Sequence, residues 1–145
     1  MQSKIGLEIR FLSKYISRYL QDLHGINKPI TGPQGLILIY LCNSENNVYQ
    51  RDIEKFLNIR RSSATGLISS LEKKGYLVKE SVESDARLKR LIPTSKAKAE
   101  VSIIEEQVME LEEKMLNGLD ESEIDGFRKT ISKITKNLLE ENKNG

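Results

Sequence analysis

Cysteine and tryptophan are nearly missing from this sequence, which has one cysteine, Cys42, and no tryptophan. A single thiol cannot form a disulfide within the chain, and no CxxC spacing or Cys/His cluster is present to hold zinc. We therefore expect no disulfide framework, no metal site and no cofactor. Cys42 is interpreted as a small buried hydrophobic residue.

Long apolar stretches are absent as well. No run approaches the roughly 18 residues that a membrane span requires. Charges at Lys4, Glu8 and Arg10 interrupt the apolar stretch that a signal peptide would need. We expect a cytoplasmic protein with no membrane partner.

Catalytic motifs are also missing. The one histidine, His24, lies near a predicted helix end, and no recognisable Ser or Cys nucleophile stands beside it in sequence. Neither a glycine-rich nucleotide loop nor a HExxH zinc motif occurs. His24 is interpreted as a helix-terminal surface residue, and we predict a protein that is not an enzyme.

What the sequence does contain is an uneven distribution of charge along 145 residues, a length typical of one domain. Residues 49–98 carry twelve basic and six acidic side chains, a net charge of +6. Residues 99–145 carry six basic and twelve acidic side chains, a net charge of −6. This asymmetry indicates that the middle segment faces a polyanion and the last segment faces water or a partner.

Apolar residues recur at helical spacing at both ends of the chain, and Gly118 separates two such stripes in the C-terminal part. The stripes are Ile5, Ile9, Leu12, Ile16, Tyr19 and Leu23; Ala97, Val101, Ile104, Val108, Leu111 and Met115; and Ile124, Phe127, Ile131, Ile134 and Leu138. They could form the core of a monomer. We favour a homodimer whose interface comes from residues 1–30 and 97–145, because one small domain would leave too much apolar surface exposed.

The segment 31–96 has the order of elements of a winged helix-turn-helix. Thr31 and Gln34 form a helix-start signal before the apolar run Leu36–Leu41. A short helix follows Tyr49, with Ile53, Phe56 and Leu57 facing inward, and Asn58 is suited to the tight turn after it. A second helix, about Arg61–Lys74, turns an apolar face inward that consists of Ala64, Leu67, Ile68 and Leu71.

The opposite face of that second helix lacks the Glu and Lys side chains usual on a solvated helix. It carries short polar or basic residues, namely Arg60, Arg61, Ser62, Ser63, Thr65, Gly66, Ser69 and Ser70. Small hydroxyl side chains allow close approach to another surface. The face therefore indicates contact with a partner, although Arg60 and Arg61 could also be ordinary solvated charges.

A β-hairpin follows the second helix, which ends at Gly75. Residues 76–82 alternate enough to predict a strand, and a second strand fits Arg90 to Pro93. Between them, residues 83–89 are predicted to form a polar, net-basic tip. Two strands alone are only marginally stable, so we expect this hairpin to pack on the helices.

Four motifs in this segment are specific. They are Gln50-Arg51-Asp52-Ile53, Leu71-Glu72-Lys73-Lys74-Gly75-Tyr76-Leu77-Val78, Asp85-Ala86-Arg87 and Leu91-Ile92-Pro93-Thr94. Through them the chain resembles the MarR family of bacterial transcriptional regulators, and within it the multidrug-responsive repressors. Because the flanking helices also fit, the resemblance covers nearly the whole chain and implies a single domain, 1–145.

The sequence departs from the family pattern at two places. Tyr49 stands where the family often has a capping Ser or Thr, and Thr94-Ser95-Lys96-Ala97 stands where Thr-x-x-Gly is common. Neither departure removes a residue expected to face DNA.

The resemblance implies double-stranded DNA as the partner, and physical arguments suggest the roles of individual residues. Backbone amides and the helix dipole favour phosphate beside Arg60 and Arg61, and Gly66 keeps the helix close to the groove. The hydroxyls expected at base edges or phosphates are those of Ser62, Ser63, Thr65 and Ser69.

The hairpin at residues 76–93 corresponds to the wing of this module, and its tip carries further candidate DNA contacts. The resemblance implies that Arg87 enters a minor groove. Asp85 can pair with Arg87 or hold the wing backbone, and Lys89 and Arg90 are interpreted as phosphate contacts.

The resemblance further implies a pseudo-palindromic operator and release by a small aromatic or lipophilic effector at the junction of the dimerisation helices and the module. Phe11, Tyr15, Tyr19 and Tyr40 offer suitable lining, although plain core is the favoured interpretation of each aromatic residue taken singly. Two alternatives stay open. The chain could be a protein-interaction module that does not bind DNA, or a redox-sensing regulator that uses Cys42.

Overall fold

The architecture is mainly α-helical with one small hairpin, as predicted. The computed structural model describes residues 4–24 and 30–143, and the chain divides into two compact units, residues 1–108 and 109–145. Within the described residues, no helix is both long and apolar enough to cross a membrane. The elements are α1 (Ile5–His24), α2 (Gly32–Asn43), α3 (Gln50–Leu57), α4 (Arg61–Lys73), β1 (Leu77–Val82), β2 (Asp85–Pro93), α5 (Ser95–Leu116) and α6 (Glu121–Lys143).

The start of α2 has the capping box that the sequence predicts. The backbone amide of Gln34 donates to Oγ1 of Thr31 at 3.4 Å, and the amide of Thr31 donates to Oε1 of Gln34 at 3.1 Å. These two backbone amides at the helix start, which have no acceptor within the helix, thereby gain side-chain acceptors.

The turn between α3 and α4 also forms at the predicted residue. Asn58 has a φ of 50° and a ψ of 52°, the left-handed conformation that asparagine tolerates better than most residues. Its amide donates to the carbonyl of Lys55 at 3.2 Å, and the amide of Ile59 donates to the carbonyl of Glu54 at 3.1 Å. These bonds close α3 and turn the chain into α4.

The core of the first unit lies between α2, α3 and α4. The predicted inner residues Ile53, Ala64, Ile68 and Leu71 are fully buried, together with Ile37 and Leu38 of α2. Leu57 and Leu67, also predicted to face inward, are half-buried against this cluster. The prediction for Phe56 was wrong, because its side chain is 46% exposed and packs on Tyr40 at the edge of the core. The helix-turn-helix is therefore held by one continuous apolar cluster.

The hairpin differs from the sequence-based prediction. We expected residues 83–89 to form a tip, but only Glu83 and Ser84 form the turn, and β2 begins at Asp85. Ser81 pairs with Lys89 and Val82 pairs with Asp85, so residues 86–88 form a bulge. The predicted strand at Arg90–Pro93 is the second part of β2. The polar composition of residues 85–89 concealed the first part, because an exposed two-stranded tip needs no alternation of apolar residues.

The base of the hairpin packs on the helices, as expected of two strands that are marginal alone. Tyr76, Leu77 and Leu91 are buried in the core, and the amide of Leu91 donates to the carbonyl of Val48 at 2.8 Å. This bond joins β2 to the segment that precedes α3. The wing therefore has a fixed base and an exposed tip.

The start of α5 completes the same core. Ala97 and Val101 are buried in it, and Oγ1 of Thr94 donates to the carbonyl of Gly75 at 2.7 Å. The core of the winged-helix module thus extends beyond residue 96, where we had placed its boundary.

Apolar side chains remain exposed in both units. On α1 these include Ile5, Ile9, Leu12 and Phe11, which are between 42% and 65% exposed. On α6 they are Phe127, Ile131, Leu138 and Leu139, which are between 42% and 62% exposed. The predicted apolar stripes of these two helices therefore lie largely open to solvent in the isolated chain.

A leucine-to-alanine comparison tests where the core lies. Replacing fully buried Leu71 leaves a cavity, so we expect the free energy of unfolding to fall by about 2–5 kcal/mol. The same replacement at Leu36, which is 48% exposed, should cost about 1 kcal/mol or less. Urea unfolding followed by circular dichroism at one protein concentration measures both. Equal losses for the two variants would contradict this account of the core.

Candidate nucleic-acid interface

One face of α4 presents the short polar side chains singled out in the sequence. The residues that the structure leaves exposed are Arg60, Arg61, Ser62, Ser63, Thr65, Gly66 and Ser69, while Ser70 is half-buried. The opposite face of the helix is buried in the core. A Cβ added to Gly66 would meet nothing within 4 Å, so internal packing does not require glycine there. The missing side chain matters only to a surface that approaches from outside.

The beginning of α4 suits an anion. Its N-cap residue, Arg60, has an extended backbone and makes no side-chain capping bond, and no acidic residue lies in the first turn. The N-terminal amides of a helix carry partial positive charge and donate readily to phosphate oxygens. With exposed Arg61 beside them, these groups form a positive end on the helix.

A hydrogen-bond network that the sequence did not predict joins α3 to this face. Nε2 of Gln50 donates to Oγ1 of Thr65 at 2.9 Å and to the carbonyl oxygen of Arg61 at 3.3 Å. Oγ1 of Thr65 in turn donates to the same carbonyl at 2.8 Å. Gln50 had been noted only as part of a family motif. Its position in the first turn of α3 is the signal that could have identified it.

The bulge of the wing holds Arg87 outward. Its backbone amide donates to Oδ1 of Asp85 at 2.9 Å, and its Nε lies 3.9 Å from the same oxygen. Asp85 therefore makes both of the contacts that we considered for it. The side chain of Arg87 is 96% exposed, so its guanidinium is available to an external partner.

The other two basic residues of the wing are engaged within the hairpin. Nζ of Lys89 donates to Oγ of Ser81 at 2.7 Å, and Nη2 of Arg90 pairs with Oε1 of Glu80 at 2.6 Å. The side chain of Arg90 is only 33% exposed, so a phosphate would have to compete with Glu80. The structure thus gives Arg90 a role in bracing the hairpin, while contact of Lys89 or Arg90 with phosphate stays a prediction.

The acidic residue that ends α4 is also paired. Oε1 of Glu72 lies 3.7 Å from Nζ of Lys79 on β1. This pairing reduces the repulsion that a free carboxylate would exert on a polyanion near the face of α4.

The four aromatic residues proposed for an effector lie in two places. Tyr40 packs against Phe56 of α3, with ring centroids 4.6 Å apart. On α1, Phe11 and Tyr15 are exposed and Tyr19 is half-buried. The effector site therefore stays a prediction. Among the described residues, no three His, Cys, Asp or Glu side chains lie together in a group that could hold a metal ion.

Known proteins share the fold that carries this face. A family model described as MarR family matches residues 28–88. The solved structure of the transcriptional regulator SlyA is 24% identical, covers 96% of each chain and has a TM-score of 0.83. The S. aureus MepR–DNA complex is 21% identical, covers 94% of this chain and 99% of that chain, and has a TM-score of 0.82.

A third similar structure is that of Bordetella bronchiseptica BpsR, which is 18% identical, covers 92% of this chain and 94% of that chain, and has a TM-score of 0.80. At these identities, the three structures establish a shared fold. The family model matches α2, α3, α4, β1 and the start of β2. The solved structures share the fold over more than nine-tenths of the chain, including the helices on both sides of that segment. Residues 28–88 of this chain accordingly match the MarR family, and the chain shares its fold with solved transcriptional regulators.

Proposed function

We propose that this chain is a sequence-specific regulator that binds double-stranded DNA and represses transcription. The observation that carries the proposal is the exposed face of α4, which offers hydroxyl and guanidinium groups but no carboxylate in its first turn. A major groove about 12 Å wide admits one α-helix, and short side chains let the helix backbone approach the base edges. The protruding Arg87 suits the neighbouring minor groove.

We further propose that the active species is a homodimer with two-fold symmetry. The apolar residues left exposed on α1 and α6 are the surfaces that association would cover. We also expected Ile104 in the interface. Its Cδ1 would lie 3.6 Å from a Cβ added to Gly35, so this side chain packs against α2. Two symmetric copies of α4 require a pseudo-palindromic operator with half-sites about one helical turn apart.

The competing function is a protein-interaction module that keeps the winged helix without binding DNA. The open, uncapped start of α4 and the exposed Arg87 favour DNA, because an adaptor has no need for either. Gel retardation of random duplex DNA at low salt separates the two functions. A regulator should give salt-sensitive retardation, and an adaptor should give none.

We propose that a small apolar effector lowers DNA affinity. The solved structure of BpsR concerns the mechanism by which 6-hydroxynicotinic acid regulates the DNA binding of that protein. Phe11, Tyr15, Tyr19 and Tyr40 remain the proposed lining here. A 100-fold loss of operator affinity requires about 2.7 kcal/mol of preference for the conformation that does not bind DNA.

Redox control through Cys42 is less favoured. Burial raises the pKa of the Cys42 thiol, nearby Glu105 raises it further, and Lys98 opposes the shift only in part. A reactive cysteine needs a lowered pKa, because the thiolate is the nucleophile. The sequence showed no basic neighbour for Cys42, whereas the fold brings Lys98 close to it without reversing the shift.

The wing assignment is tested by Arg87→Ala. Loss of the exposed guanidinium should weaken binding to a selected operator by about 1–3 kcal/mol and reduce the salt slope by about 1. The matched control is Arg128→Ala, which removes the same side chain from an exposed position on α6. Fluorescence anisotropy across a salt series measures both variants. Wild-type affinity in Arg87→Ala would refute the minor-groove role.

The dimer is tested by Ile131→Glu. Ile131 is 43% exposed on α6, so a buried, unpaired carboxylate would appear only if association covers this position. We expect a wild-type dimer and a dissociated Ile131→Glu variant by light scattering at micromolar concentration. Ser132→Glu, at an adjacent exposed position, is the control and should remain dimeric. A monomeric wild type would end the dimer proposal.

The state of Cys42 is tested by its rate of alkylation. Because its pKa is raised in the folded protein, less thiolate is present at any pH near 8 than in the unfolded chain. Iodoacetamide should therefore react more slowly with the folded protein. As the pH is raised, the alkylation rate of the folded protein should still increase at pH values where the rate of the unfolded chain has reached its plateau. Faster reaction in the folded state, or operator release by peroxide that Cys42→Ser abolishes, would favour redox sensing instead.

A further inference from the structure

Two hydrogen bonds within the protein fix the orientation of the Thr65 hydroxyl. A threonine hydroxyl offers one proton and two lone pairs. Its proton is donated to the carbonyl oxygen of Arg61 at 2.8 Å, and one lone pair accepts from Nε2 of Gln50 at 2.9 Å. One lone pair remains, on a side chain that is exposed on the proposed DNA-binding face.

The orientation of the Gln50 amide follows from chemistry. Gln50 contacts both Thr65 and the carbonyl oxygen of Arg61, and a carbonyl oxygen only accepts hydrogen bonds. The nitrogen of the amide must therefore face this pair. Turning the threonine proton outward would point a lone pair at the Arg61 carbonyl and break the bond between them.

We propose that Thr65 is an acceptor-only contact that recognises the exocyclic amine of adenine or cytosine in the major groove. The carbonyl of Arg61 takes its proton, and Gln50 is the positioning residue that holds its oxygen in place. The inference rests on the proposed function of DNA binding. In the major groove, N6 of adenine and N4 of cytosine donate, whereas N7 and O6 of guanine and O4 of thymine accept. A hydroxyl locked as an acceptor faces only the first two bases favourably.

The experiment begins with an operator selected from random duplexes by the full-length protein. The base pair read by position 65 is the one whose preference changes in Thr65→Val, which keeps the shape of the side chain and removes the hydroxyl. The adenine or cytosine at that pair is then replaced by its analogue without the exocyclic amine, 2′-deoxynebularine or the 2-pyrimidinone deoxynucleoside. Affinities are measured for each protein on both duplexes.

Wild type should lose about five- to tenfold in affinity when the amine is deleted, as expected for one hydrogen bond. Thr65→Val should lose nothing, and Thr65→Ser, which keeps the hydroxyl, should respond as wild type does. Ser63→Ala removes a hydroxyl from the same helix face and should leave the response at this pair intact.

The role of Gln50 is measured by Gln50→Leu, which keeps the size of the side chain and removes the donor. We expect the response to amine deletion to fall to about twofold or less, because the Thr65 oxygen is then held by one hydrogen bond instead of two and is less well placed to accept from the amine. In the Thr65→Val background, the same replacement should add no further change at this pair. The response is the ratio of the affinities of one protein for the two duplexes. A general loss of protein stability lowers both affinities alike and leaves this ratio unchanged.

The outcomes separate the two levels of the proposal. If wild type selects no duplex, the proposed function fails and this inference fails with it. If it selects an operator but Thr65→Val alters no base pair, or deleting the amine leaves wild-type affinity unchanged, the inference is overturned while DNA binding stands. An undiminished response in Gln50→Leu would overturn the positioning role of Gln50.

Discussion

Burial of the inner face of α4 is the interaction on which the rest of the structure depends. Ala64, Ile68 and Leu71 are fully buried in the cluster that α2 and α3 share with α4. Because an α-helix turns 100° per residue, seating these positions in the core sets the outward direction of Ser62, Thr65 and Ser69. The same cluster includes residues at the base of the hairpin, so the position of the wing depends on it as well.

The proposed DNA-binding groups differ in how firmly the protein holds them. Thr65 is tied to Gln50 and to the backbone of its own helix, and Asp85 fixes the bulge that carries Arg87. The guanidinium of Arg87 itself projects almost entirely into solvent. The hydroxyl is thus preorganised, whereas the arginine must lose conformational freedom when it binds. This division suits a helix that recognises bases and a wing that adapts to the shape of a groove.

Features set by local chemistry could be predicted from the sequence. Helical periodicity predicted which residues of α4 face the core. The capping box at Thr31 and the left-handed turn at Asn58 follow from the side chains at those positions. Features that depend on residues distant in sequence could not. The pairs Gln50–Thr65 and Glu80–Arg90 join different elements. The first part of β2, residues 85–89, was concealed by its polar composition. Only the folded chain brings Lys98 near Cys42.

The central claim is that the start of α4 and the wing bulge contact DNA. Hydrogen exchange at single-amide resolution, with and without a selected operator, tests it most directly, because the first-turn amides of α4 have no partner within the helix. The account predicts slower exchange on DNA binding at residues 61–63 and 86–88, with little change at the already protected Ile68. DNA binding without protection at these two segments would contradict it.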